Sequence, residues 1–151
     1  MASVTSESPE LVERRVTELL QPYFTDLFAV SYHPSFPRPD RSTVSIFQVV
    51  FAVGPGNDTA TRAAVHERFR QLLRLLSAVP EAQRSEVSLR ARRHVPPRSR
   101  PDHPHMFIEC AWHGSELAAM HRDDFSSWHS HCYLYVNRFD HNDSLNYTRN
   151  A

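Results

Sequence analysis

The eleven residues from Thr43 to Val53 constrain the fold more than any other stretch. Successive side chains of an extended chain point to opposite sides, and here both sides are apolar. Phe47, Val49 and Phe51 fall on one parity, and Val44, Ile46 and Val50 on the other. Such a strand belongs in the interior of a sheet with cover on both faces. The residues after it agree with that placement: Gly54-Pro55-Gly56-Asn57-Asp58 is a turn, and Asp58 or Thr59 can cap a helix running to about Val79. Val65, Phe69, Leu72, Leu73, Leu76 and Val79 form the stripe that this helix would bury.

The remaining elements follow from the same periodicities. Ser8-Pro9 opens an amphipathic helix that ends near Pro22, with Leu11, Val12, Val16, Leu19, Leu20 and Tyr23 at helical spacing. Leu27 to Tyr32 reads as a strand, followed by a loop from His33 to Ser42 that is rich in proline and charge. Glu86 to Val95 alternates, with Val87, Leu89, Ala91 and Val95 on one side and Ser88, Arg90, Arg92 and His94 on the other. A fourth strand through Met106 and Trp112 is expected antiparallel to the third. Ser115 can cap a helix to about Trp128, and His129 to Phe139 is the fifth strand. The expectation is an α+β domain over residues 9–139, with a five-stranded, mainly antiparallel sheet and helices packed on it. A flexible segment (1–8) and a polar tail (140–151) flank the domain.

Charge and cysteine content exclude several functions. Seventeen basic residues balance seventeen acidic ones, so no global field draws the chain to nucleic acid or membrane, and any such contact needs a local patch. All the basic residues are arginine, which suits phosphate but also reflects base composition. The two cysteines, Cys110 and Cys132, make no disulfide framework and no zinc ribbon. No basic-then-apolar leader and no long apolar run is present, so an intracellular location, nuclear or cytoplasmic, is expected rather than secretion. With three glycines in all, there is no phosphate-cradling loop.

Histidine carries the chemistry. Asp102-His103-Pro104-His105-Met106-Phe107-Ile108-Glu109-Cys110 puts His103, His105 and Glu109 on one parity of an extended chain and Met106, Ile108 and Cys110 on the other. Two imidazoles and a carboxylate on one face are ordinary ligands for a divalent ion such as manganese, magnesium or zinc, and His94 could approach across the preceding loop. A second pair, His129/His131, opens the fifth strand, where Tyr133 and Tyr135 share its face. Arg62, His66, Arg70 and Arg74 recur every fourth residue as a basic ridge, either a solvated face or a phosphate-tracking surface.

A helix, Pro80-Glu81-Ala82, a strand, a loop and then His-x-His with Glu109 resembles the nuclease domain of parvovirus-type replication initiators, members of the HUH endonuclease superfamily. The similar part runs from about Thr59 to Trp128. The resemblance implies a viral protein in which His103 and His105, with a third ligand, hold a divalent ion on the scissile phosphate. Tyr135 or Tyr133 would then attack to leave a phosphotyrosine link. It further implies that Arg62, Arg70, Arg74, Arg90, Arg92, Arg98 and Arg100 meet nucleic acid. Pro104 stands where the family has a bulky apolar residue, and Arg93 and His94 stand where it has an acidic ligand. A relative that keeps the fold and the DNA contact without full nicking activity fits these departures. Two other readings apply to the same residues: a non-enzymatic accessory or adaptor protein that binds a host protein, and a metal-dependent small-molecule enzyme using both His-x-His pairs.

Overall fold

The computed structural model describes residues 8–24, 28–53, 59–93, 106–137 and 146–148. Ser8 starts the first helix, α1 (Pro9–Leu20), by accepting a hydrogen bond from the Leu11 N–H at 3.4 Å, with Pro9 in the first turn, where no amide is needed. Val12, Val16 and Leu20 are its buried stripe, and a single 3-10 turn, Gln21–Tyr23, ends it. Strands β1 (Phe28–Pro37) and β2 (Thr43–Val53) come next, then helices α2 (Thr59–Leu76) and α3 (Pro80–Gln83). After them come β3 (Glu86–Arg93), β4 (Met106–His113), short helices α4 (Leu117–His121) and α5 (Trp128–His131), β5 (Leu134–Asn137) and β6 (Asn146–Thr148).

The strands lie in chain order, β1 to β6. Every neighbouring pair is antiparallel except β2 and β3, which run parallel. A parallel pair needs a long crossover, and α2 with α3 supplies it. The expected α+β class and mainly antiparallel sheet are present, and a short sixth strand inside the polar tail extends the sheet by pairing with β5.

One core lies under one face of the sheet. Phe47, Val49 and Phe51 of β2, Val87, Leu89 and Ala91 of β3, and Ile108, Cys110 and Trp112 of β4 are buried against α1, α2, α4 and Trp128 of α5. At its centre the rings of Phe69, Trp112 and Trp128 meet edge to face at 6.0–6.3 Å, and the Trp112 indole N–H donates to the Trp128 carbonyl at 2.7 Å. Burying each of these large side chains stabilises the fold by about 2–3 kcal/mol.

The structure corrects four local expectations. Cover on both faces of β2 is the first: every buried helix side chain joins the one core, and Val44, Ile46 and Val50 are only half-buried. Their register neighbours explain this, since Ser31, Glu86, Ser88 and Arg90 share that face and favour water. Next, β1 runs on to Pro37 through the expected loop. As the outermost strand it tolerates Pro34 and Pro37, with a register irregularity between His33 and Phe36.

The third correction is the helix from Ser115 to Trp128, which breaks after His121. Asp123 accepts hydrogen bonds from Ser126 and Ser127, and Asp124 and Phe125 take left-handed φ values of 55° and 64°. His129 and His131 therefore lie on the helical turn of α5 and not on a strand, which is the fourth correction. At the far end of β4, Gly114 donates to the Ser85 carbonyl at 2.7 Å; a Cβ there would lie 2.0 Å from the Ala82 carbonyl oxygen, so only glycine fits.

Candidate functional site

The sheet face that carries no helix among the described residues is the candidate site, because the polar parity of β3 and β4 converges on it. Arg90 lies opposite Glu109 in register and donates to its Oε2 at 2.9 Å, while Ser88 donates to the same oxygen at 3.1 Å. Arg92 is exposed beyond them. Toward the other end, Glu86 receives both the Arg38 guanidinium and the Tyr133 hydroxyl, the latter at 3.0 Å. The Tyr133 ring lies near-parallel to that of His113, with centroids 4.5 Å apart and planes 19° off. A surface cleft of about 610 Å3 opens here, lined by Arg38, Arg84, Glu86, His113, Gly114 and Ser115.

The basic ridge of α2 is on the opposite side and has another role. Arg74 grips both carboxylate oxygens of Asp124 at 2.9 Å, and Arg70 reaches Oδ2 and the Asp124 carbonyl at 3.0 Å. Arg74 first, then Arg70, holds that carboxyl below its usual range. A buried phenylalanine in the left-handed region is strained, and these bonds fix the neighbouring residue of the turn. Arg62 and His66, nearer the start of α2, are half-buried. The ridge and the Arg90/Arg92 row therefore do not form one surface.

The two candidate tyrosines separate as well. Tyr135 faces the helices: its hydroxyl lies 3.2 Å from His66 Nε2, and the His129 ring packs against it edge to face at 4.8 Å. Burial, then the neighbouring His129 and Arg62, lower the His66 pKa, which favours the neutral imidazole and makes it a weaker base than a free histidine. Tyr133, by contrast, is on the open face. The chain leaves α5 through an extended Cys132, and the Tyr133 N–H bonds the Ala111 carbonyl before β5 begins. Burial and the adjacent Glu86 carboxylate push its phenol well above the usual value, which suits a donor better than a nucleophile. The expectation that both tyrosines share a face with His131 is thus corrected, and His131 instead meets Glu116 at 3.1 Å.

Of the proposed metal ligands, Glu109 alone falls within the described residues. It shows the expected parity, opposite to Ile108 and Cys110, but its Oε2 serves Arg90 and Ser88. His94, His103 and His105, like Arg98 and Arg100, lie outside the described residues. Among the described residues no three His, Cys, Asp or Glu side chains converge on one point. Cys110 and Cys132 are buried free thiols hydrogen-bonded to each other; burial and that contact raise Cys110, while the same contact lowers Cys132.

No family model, curated protein or solved structure matches the chain. The residues themselves carry the reading. Sequence reasoning found Arg90, Arg92 and Glu109 by alternation, and His113 was reachable on the same parity. It missed Arg38 and Glu86, which are joined only by the fold, and it missed Asp124 as the partner of the ridge.

Proposed function

We propose that the chain is a nucleic-acid-binding domain, of an intracellular and replication-initiator-like kind, that uses the open sheet face and the connection between β3 and β4. One observation carries this reading. Arg90 and Arg92 stand on the face that carries no helix among the described residues and lead into a strongly basic stretch, residues 90–105, which hold five arginines and three histidines against one aspartate. Phosphate contact through such a patch gives affinity that falls with salt. Arg98 and Arg100 belong to the same stretch, whereas Arg70 and Arg74 are assigned to the Asp124 turn.

Metal-dependent nicking is the finer form of the proposal. Glu109 is committed to Arg90 and does not fit the role of a freely available ligand. Neither tyrosine is ready for that role: Tyr133 lies on the proposed binding face but donates its hydroxyl to Glu86, and Tyr135, beside His66, faces the helices.

Fluorescence anisotropy with a labelled single-stranded DNA hairpin tests the reading. The logarithm of the binding constant is expected to fall linearly with that of salt concentration, by about 0.7 per phosphate contact on a single strand. Absence of any salt-sensitive binding contradicts it. With manganese added, a covalent adduct that disappears in Tyr133→Phe or in Tyr135→Phe extends the function to nicking; no adduct confines it to binding.

A second reading, an adaptor for a host protein, draws on a different surface. Leu11, Leu19 and Tyr23 are exposed beside the buried stripe of α1. It takes precedence if nucleic acid does not bind.

A further inference from the structure

We propose that the open face takes single-stranded rather than duplex nucleic acid, with one base stacked on His113 and the adjoining phosphate on Arg38 or Arg84. This inference rests on the nucleic-acid reading above and names its substrate class. Three features of the His113 end support it.

First, the aromatic surface is built before any ligand arrives. Tyr133 lies near-parallel beneath His113, its hydroxyl is tied to Glu86, its amide is tied to Ala111, and Glu86 is gripped by Arg38. A ring held in this way loses little freedom on binding. Second, His113 is exposed at the mouth of the cleft, with Arg38 and Arg84 among its walls. An aromatic plane beside guanidinium groups is the arrangement that receives an unstacked base and its phosphate. Glu86 leaves this corner without excess negative charge, because Arg38 pairs with it.

Third, the platform continues into the basic row. Arg92 lies opposite Met106 at one end of β4, and His113 ends the strand. The seven residue steps from Met106 to His113 span roughly 23 Å, a track long enough for several nucleotides. Bases in a duplex are already stacked on one another and do not reach a flat protein surface, so only a single strand can use both ends of this track.

The test uses the full chain, a short oligothymidine, and the same length as a duplex at one salt concentration. The single strand is expected to bind at least tenfold more tightly, and His113→Ala to lose about tenfold or more for the single strand alone, in keeping with base–aromatic stacking. His113→Trp, which keeps a stacking plane at an exposed position, is expected to retain affinity and to show indole fluorescence quenched by the oligonucleotide. Equal binding of duplex and single strand, with His113→Ala unchanged and no quenching in His113→Trp, overturns the stacking proposal while leaving nucleic-acid binding intact. Failure of both nucleic acids to bind overturns the underlying reading and this one with it.

Discussion

At the scale of single residues, side chains that look alike in the sequence are separated by what they touch. Arg70 and Arg90 are both arginines on an amphipathic element, yet one is spent on a left-handed turn and the other on the face of the sheet. Nothing near Arg70 in the chain announces this, since Asp124 is 54 residues away. His66 carries a testable consequence. Its folded pKa lies below the ordinary value of about 6.5, because burial, then His129 and Arg62, disfavour the charged ring. The unfolded chain therefore binds more protons in that window, and stability falls as pH drops from above about 6.5 toward the folded pKa. Denaturant titrations of the wild type and His66→Gln between pH 5 and pH 8, a range chosen about that value, are expected to show a steeper acid loss in the wild type. Equal pH profiles would contradict the assignment.

At the scale of elements, the outer edge of β1 shows how the sheet is kept from pairing with another chain. The Tyr32 N–H on that edge donates to the Glu13 carboxylate of α1 at 2.8 Å, and Pro34 and Pro37 blunt the rest. Replacing Glu13 by alanine removes a charge-assisted hydrogen bond, so a loss of about 1–2 kcal/mol is expected. Sedimentation should show self-association as well, since the edge amide is left open. Unchanged stability in Glu13→Ala would show that the bond is dispensable. Much at this scale was legible in advance. The alternation of Glu86 to Arg93, the capped start of α1 and the apolar stripe of α2 each depend on neighbours in sequence. The end of α4 was not read in advance: its break is built locally, by Asp123 with Ser126 and Ser127 and by two left-handed residues, and only the grip of Arg70 and Arg74 on Asp124 comes from a distant helix. The double-sided cover expected for β2 failed for a related reason: its second parity is apolar, but the strands beside it are polar on that face.

At the scale of the whole molecule, helices on one side leave a two-sided object with unlike faces. The helix side is closed by the aromatic core and by the ion pairs of α2. The sheet side carries Arg38, Arg90, Arg92, His113 and Tyr133 on a surface without helices among the described residues. Alternation revealed half of this site in the sequence, and the rest, Arg38 with Glu86 and Tyr133 with His113, exists only once the sheet has formed. Division of the arginines between structure and binding is the central claim, and one comparison tests it most directly. DNA-hairpin affinity and thermal unfolding are measured for Arg90→Gln/Arg92→Gln and for Arg70→Gln/Arg74→Gln. The first pair is expected to weaken binding and to reduce the salt slope by about 0.7 for each phosphate that the protein ceases to neutralise, and also to lower the melting temperature, since Arg90→Gln leaves the largely buried Glu109 carboxylate without its cation. The second is expected to melt earlier and bind as the wild type does. If the Arg70/Arg74 pair loses as much affinity as the Arg90/Arg92 pair, the open sheet face is not the binding surface.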